Sequence, residues 1–78
     1  MTNYNTKKNW ILADLDINET IETRGDAEQM FCEWFHLGPV TFTKTLNKMY
    51  SEGLLDRKYI SVDGAWSYVY RLKEKKDG

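Results

Sequence analysis

The sequence predicts an α+β domain of three helices and a small antiparallel sheet, and three stretches carry that prediction. Between Thr41 and Gly53, Phe42, Leu46 and Met49 recur at i, i+4 and i+7, the spacing of one apolar stripe on an amphipathic helix. After Asp26, the residues Ala27, Met30, Phe31, Trp34 and Phe35 repeat with the same period. Beyond residue 54, two runs rich in Tyr, Val, Ile and Trp flank Asp63-Gly64, a dipeptide that strongly marks a tight hairpin.

Taken in order, residues 1–5 are polar and without period, and are expected to be a flexible tail. Over 6–15, Trp10, Ile11, Leu12 and Leu15 gather on one side of a short first helix, with Lys7, Lys8 and Asp14 outside. Apolar and polar residues then alternate, with β-branched content, so a brief strand over 19–23 is expected, closed by Arg24-Gly25 and edging the later sheet. Asp26 is the expected N-cap of the second helix, with Gln29 three residues on, and the wide stripe that follows puts Trp34 in the core. Leu37-Gly38-Pro39 should stop that helix, Gly38 taking a left-handed cap and Pro39 refusing to continue the turn.

Thr41 is the expected N-cap of the third helix, because its hydroxyl can accept from a first-turn amide and Pro39 discourages helix upstream. Leu46 anchors this helix in the core, while Thr43, Lys44, Asn47, Lys48 and Ser51 fall on a small, polar and cationic side. Gly53 sits where a left-handed C-cap is easy only for glycine, and Leu54-Leu55 supply the apolar contact that accompanies such caps. For the hairpin, a two-residue turn would pair Val62 with Ala65 and split the apolar residues between faces. A three-residue loop, 63–65, gathers Ile60, Val62, Trp66, Tyr68, Tyr70 and Leu72 on one face and is the expected register. Residues 73–78 read as a second charged tail.

Seventy-eight residues make one small domain whose core is marginal, so a dimer interface or a ligand can contribute noticeably to its stability. Cys32 is the only cysteine, which excludes an intramolecular disulfide and fits a reducing cytoplasm. The apolar runs are too short for a membrane span and no signal-peptide stretch follows the first lysines, so a cytoplasmic protein with no membrane partner is expected. The net charge of −1 argues against coating nucleic acid through bulk charge, but the acids concentrate before residue 37 and the lysines and arginines after 39. Tyr4 and Trp10 offer an aromatic surface on which a second copy can pack as a homodimer; the alternative is a monomer with Trp10 in its own core.

Catalytic chemistry finds no support. Cys32 and His36 share a helical face, but two ligands do not make a metal site and there is no other His or Cys, so neither metal nor cofactor is expected. The lone histidine lacks a nucleophile turn and an orienting third group, and Asp14 with Asp16 has no pocket around it. No phosphate-cradling glycine pattern occurs, so no catalytic residue is assigned and the protein is not expected to be an enzyme.

The run from Thr41 to Arg57, with its polar cap, Leu46 and Met49 as anchors, and Gly53-Leu54-Leu55 leading to Arg57, resembles the recognition helix and following strand of winged helix-turn-helix domains, as in MarR-like regulators. The resemblance extends more weakly over 9–72. It implies a winged helix-turn-helix fold and a small prokaryotic or phage transcriptional regulator that binds double-stranded DNA sequence-selectively. The recognition helix would lie near 41–52 and the wing near 58–71. Asn47 and Lys44 would contact bases, Asn47 bonding an adenine edge, while Thr41, Thr43, Lys48 and Ser51 would position on phosphates. Arg57, Lys58 and Arg71 on the wing would grip the backbone or an adjacent minor groove, and Tyr59 and Trp66 read as core or hairpin-pair residues. The alternative function is a winged helix that binds a protein partner, favoured by the acidic first half and the few cations on the recognition face.

Overall fold

The computed structural model describes residues 3–73; residues 1–2 and 74–78, within the two expected tails, lie outside it. The chain runs α1 (Tyr4–Asn18), β1 (Thr20–Glu22), α2 (Asp26–Phe35), α3 (Pro39–Ser51), β2 (Leu55–Val62) and β3 (Ala65–Leu72). The strands form one antiparallel sheet in the order β1-β3-β2, and the three helices pack together and against one side of it.

Helix α1 is longer than the sequence suggests. Asn3 caps it by accepting, through Oδ1, from the Thr6 amide at 2.9 Å and the Thr6 hydroxyl at 3.0 Å, so residues 3–5 are helix start rather than tail. Its end is set by Glu19, which takes φ 70° and donates its N–H to the Leu15 carbonyl at 2.8 Å. Ile11 and Leu15 are buried, and Trp10 packs edge-on against Phe31 and Phe35 of the same chain, at 5.5 and 6.3 Å between ring centres. Trp10 thus packs, partly buried, against the domain's own core.

Three expected caps are displaced. Gly25, not Asp26, is the N-cap of α2, and Asp26 with Glu28 instead places negative charge in the first turn, where the helix dipole favours it. The left-handed residue after α2 is His36, at φ 55°, while Gly38 is extended and serves as N-cap of α3. Pro39 therefore occupies the first turn of α3, where its missing N–H costs nothing, and Thr41 is an interior residue rather than the cap. Phe42, Leu46 and Met49 are buried as their spacing requires, joined by Thr45, whose hydroxyl donates to the Thr41 carbonyl at 2.7 Å. At the other end Gly53 takes φ 81°; its N–H donates to Tyr50 and that of Leu54 to Met49, each at 3.0 Å, which is the paired hydrogen bonding of a Schellman cap.

Phe31 sits at the centre of the core, its ring against Trp10 of α1, Phe35 of α2 and Phe42 of α3, and Ile21, Leu55 and Tyr70 close the core from the sheet. Trp34 does not take part: it is 71% exposed, as is 55% of Met30, so the expected apolar stripe of α2 is narrower than its composition implies.

The hairpin forms with the two-residue turn, not the three-residue loop. Val62 pairs with Ala65, and Asp63 and Gly64 take φ 51° and 80°, both in the left-handed region that a type I′ turn demands. A three-residue loop would transfer that demand to Ala65, whose Cβ disfavours it, whereas Asp and Gly tolerate it. Arg57 consequently lies opposite Tyr70, Tyr59 opposite Tyr68 and Ser61 opposite Trp66, all on the helix-facing side, while Lys58, Ile60, Val69 and Arg71 face away. The register continues to the end of the sheet, where the Lys73 N–H donates to the Leu54 carbonyl at 3.1 Å, so Lys73 is paired rather than tail.

Candidate nucleic-acid interface

The outward side of α3 is exposed at Lys44, Asn47, Lys48 and Ser51, and none of its thirteen residues is acidic. Thr41 and Thr43 are only half-exposed, flanking this side rather than forming it. Where α3 meets the sheet, the Asn47 Oδ1 accepts from the Tyr70 hydroxyl at 2.8 Å and from Arg57 Nη1 at 3.1 Å. Because arginine can only donate, the amide oxygen of Asn47 points into the protein and its two Nδ2 hydrogens point away from this pair. A carbonyl oxygen with two bonds is saturated, so Asn47 has no acceptor left for the exocyclic amine of adenine. The paired reading of an adenine edge expected of it is replaced by a donor-only reading, which suits the guanine O6 and N7 acceptors or a phosphate.

Arg57 is held on three sides. Its guanidinium lies over the Tyr50 ring at 4.1 Å and the Tyr68 ring at 4.5 Å, and the Tyr70 hydroxyl beside it raises its pKa further above the ordinary range. Beyond Arg57 the same side of the hairpin carries a run of rings. Tyr68 lies 4.8 Å from Tyr59, and Tyr59 stacks on Trp66 at 5.1 Å with only 14° between planes. Tyr59 is 55% and Trp66 56% exposed, so these are surface pairs rather than core residues.

Lys48 leans to the other flank of α3, with its Nζ 4.1 Å from the centre of the Tyr4 ring, while the Tyr4 hydroxyl donates to Glu52. Partial burial, together with the hydrogen bond and the charge of Glu52, pushes the Tyr4 pKa up to about 12. The structure therefore brings together Lys44, Asn47, Lys48, Ser51 and Arg57 but not the whole expected set. Lys58 and Arg71 lie on the far face of the sheet, beside Glu22 and Asp56 around a depression that reaches α3 only at its edge, through Tyr50 and Arg57, and they are not on the outward side of α3. No group of three or more His, Cys, Asp or Glu placed to hold a metal occurs among the described residues, and none of their helices is long and apolar enough to cross a membrane.

The lock on Asn47 and the ring run at Tyr59, Trp66 and Tyr68 were not visible in the apolar pattern. The signal that reveals both is Asp63-Gly64 read as a type I′ turn, since that register alone sets Arg57 against Tyr70 and Tyr59 against Tyr68. Comparison of the chain with family models, with curated proteins and with solved structures gave no match in any of the three.

Proposed function

We propose that the domain is a winged helix that binds double-stranded DNA, with α3 in the major groove and the β2–β3 hairpin as the wing, in the manner of a small transcriptional regulator. The observation that carries this reading is the outward side of α3: it has two lysines and no acid in a protein of net charge −1, and its central amide is oriented from behind by Tyr70 and Arg57. A donor fixed in advance loses less entropy on binding than a free one, which is what base reading requires. Lys48 and Arg57 supply phosphate-neutralising charge, and Lys44 and Asn47 the base-directed donors.

Three cations facing the duplex imply a logarithmic salt slope of roughly −3. The test is titration of mixed-sequence duplex at several salt concentrations, followed by Lys48→Ala, for which the slope becomes shallower by about one and all sequences weaken alike. A slope near zero, or no retention of duplex at low salt and tens of micromolar protein, removes the proposal. A second reading, a protein-binding module, is favoured by Trp34 and Met30, which stand exposed on α2 beside Asp26 and Glu33. Trp34→Ala would then abolish partner capture while leaving duplex binding at its wild-type value.

A further inference from the structure

The ring run on the wing ends abruptly. Tyr68 lies against Tyr59, Tyr59 against Trp66, and no further ring lies against Trp66 among the described residues. One face of the Trp66 indole is thus covered by Tyr59, yet more than half of the residue is exposed. On this side of the described hairpin, Arg57 is the charged residue and no acid occurs, the acids Asp56 and Asp63 lying on the opposite face and in the turn. Through Arg57 and Asn47 the rings are continuous with the cationic side of α3.

We infer that Trp66 stacks an unpaired base, and that the ligand of this surface is DNA in which a duplex adjoins unpaired nucleotides. The inference rests on the duplex-binding reading of α3. A base in a continuous duplex has both faces covered by its neighbours, so it has no face to offer an indole. An unpaired base does, and stacking on exposed aromatic rings beside cations is how single strands are held without regard to sequence. The charge of the surrounding surface selects a polyanion over an uncharged proline-rich segment, the other ligand that exposed rings accept.

The test compares a labelled blunt duplex with the same duplex carrying about four unpaired thymidines at either end, by fluorescence anisotropy at fixed salt. The extended duplex should bind about five- to a hundred-and-fiftyfold more tightly to the wild-type protein, the range that one stacked base implies. Trp66→Ala should reduce the extended duplex to the blunt value and leave the blunt value unchanged, and Trp66→Phe should keep most of the gain. Equal binding of the two duplexes by the wild type overturns the inference while leaving the duplex reading standing, and this comparison needs no variant to fold. Equal weakening of both duplexes by Trp66→Ala also overturns it. If neither duplex binds, both readings fall, and a tryptophan fluorescence response to a polyproline peptide that Trp66→Ala abolishes would identify the ring run as a peptide surface.

Discussion

Replacing Asn47 by alanine removes one acceptor shared by two donors, and the structure says which donor suffers. Tyr70 is 0% exposed, and the bond from its hydroxyl to Asn47 is partly buried, whereas Arg57 reaches solvent and can rehydrate. An unpartnered hydroxyl in such a place costs about 1–3 kcal/mol, and the better helix propensity of alanine returns about 0.5 kcal/mol. The expected net loss is about 1–2 kcal/mol, which for a domain of this size lowers Tm by roughly 5–10 °C. An exposed asparagine with no such role would change stability by less than about 0.5 kcal/mol.

Thermal and urea denaturation of Asn47→Ala, Tyr70→Phe and the double variant give the decisive quantity, the coupling between the two sites, expected at about 1 kcal/mol. Asn47→Asp separates folding from recognition. It keeps the acceptor for Tyr70 and gives Arg57 a charged partner, so stability holds or rises, but it replaces the outward donor by an acceptor and puts negative charge on the DNA face. Additive single effects, or an Asn47→Ala protein as stable as the wild type, would show that the bond is not made and would take away the argument for a pre-oriented amide.

The other expectations are quickly checked by denaturation. Leu46→Ala should cost about 2–5 kcal/mol because the side chain is fully buried, whereas Trp34→Ala, at a site 71% exposed, should stay within about 0.5 kcal/mol. Gly53→Val should cost about 1–3 kcal/mol through backbone strain alone, since the residue has φ 81° and a Cβ there meets nothing within 4 Å; a melting temperature unchanged would deny the left-handed cap. The folded Tyr4 phenol keeps its proton more tightly than an unfolded tyrosine, at about 12 against 10.0, so this contribution is whole below pH 10 and is lost as pH rises toward 12. Tyr4→Phe should flatten that part of the stability profile.

Helix α3 was legible because periodicity and a glycine stop agreed over one continuous stretch, and the burial of Phe42, Leu46 and Met49 follows from that spacing. The N-terminal turn of α1 was not legible as an apolar pattern. It depends on Asn3 as a cap and on Tyr4 reaching Glu52, a contact that crosses 48 residues and leaves no local trace. In α2 the composition misled. At about 100° per residue, Trp34 and Met30 lie roughly 60° and 100° from Phe31 on one side, and the partly buried Phe35 and Cys32 lie on the other. The core therefore takes up that second side, and a stripe drawn through all five apolar residues is too wide.

The hairpin misreading has a different cause and a larger consequence for function. Gathering every apolar residue onto one face is sound reasoning for a sheet that covers a core, but only Ile21, Leu55 and Tyr70 are needed to cover this one. Past Tyr70 the hairpin extends beyond the helices, so its faces answer to turn geometry rather than to burial. A shift of one residue would carry Trp66, Tyr68 and Tyr70 to the far side of β3 and leave Arg57 facing no tyrosine. The Asn47 amide would then lose the Tyr70 hydroxyl that helps to orient it, and Trp66 and Tyr68 would lie on the opposite side of the sheet from α3. The left-handed pair Asp63 and Gly64 thus determines, from the tip of the hairpin, which way an amide on a helix more than fifteen residues earlier in the chain presents its hydrogens.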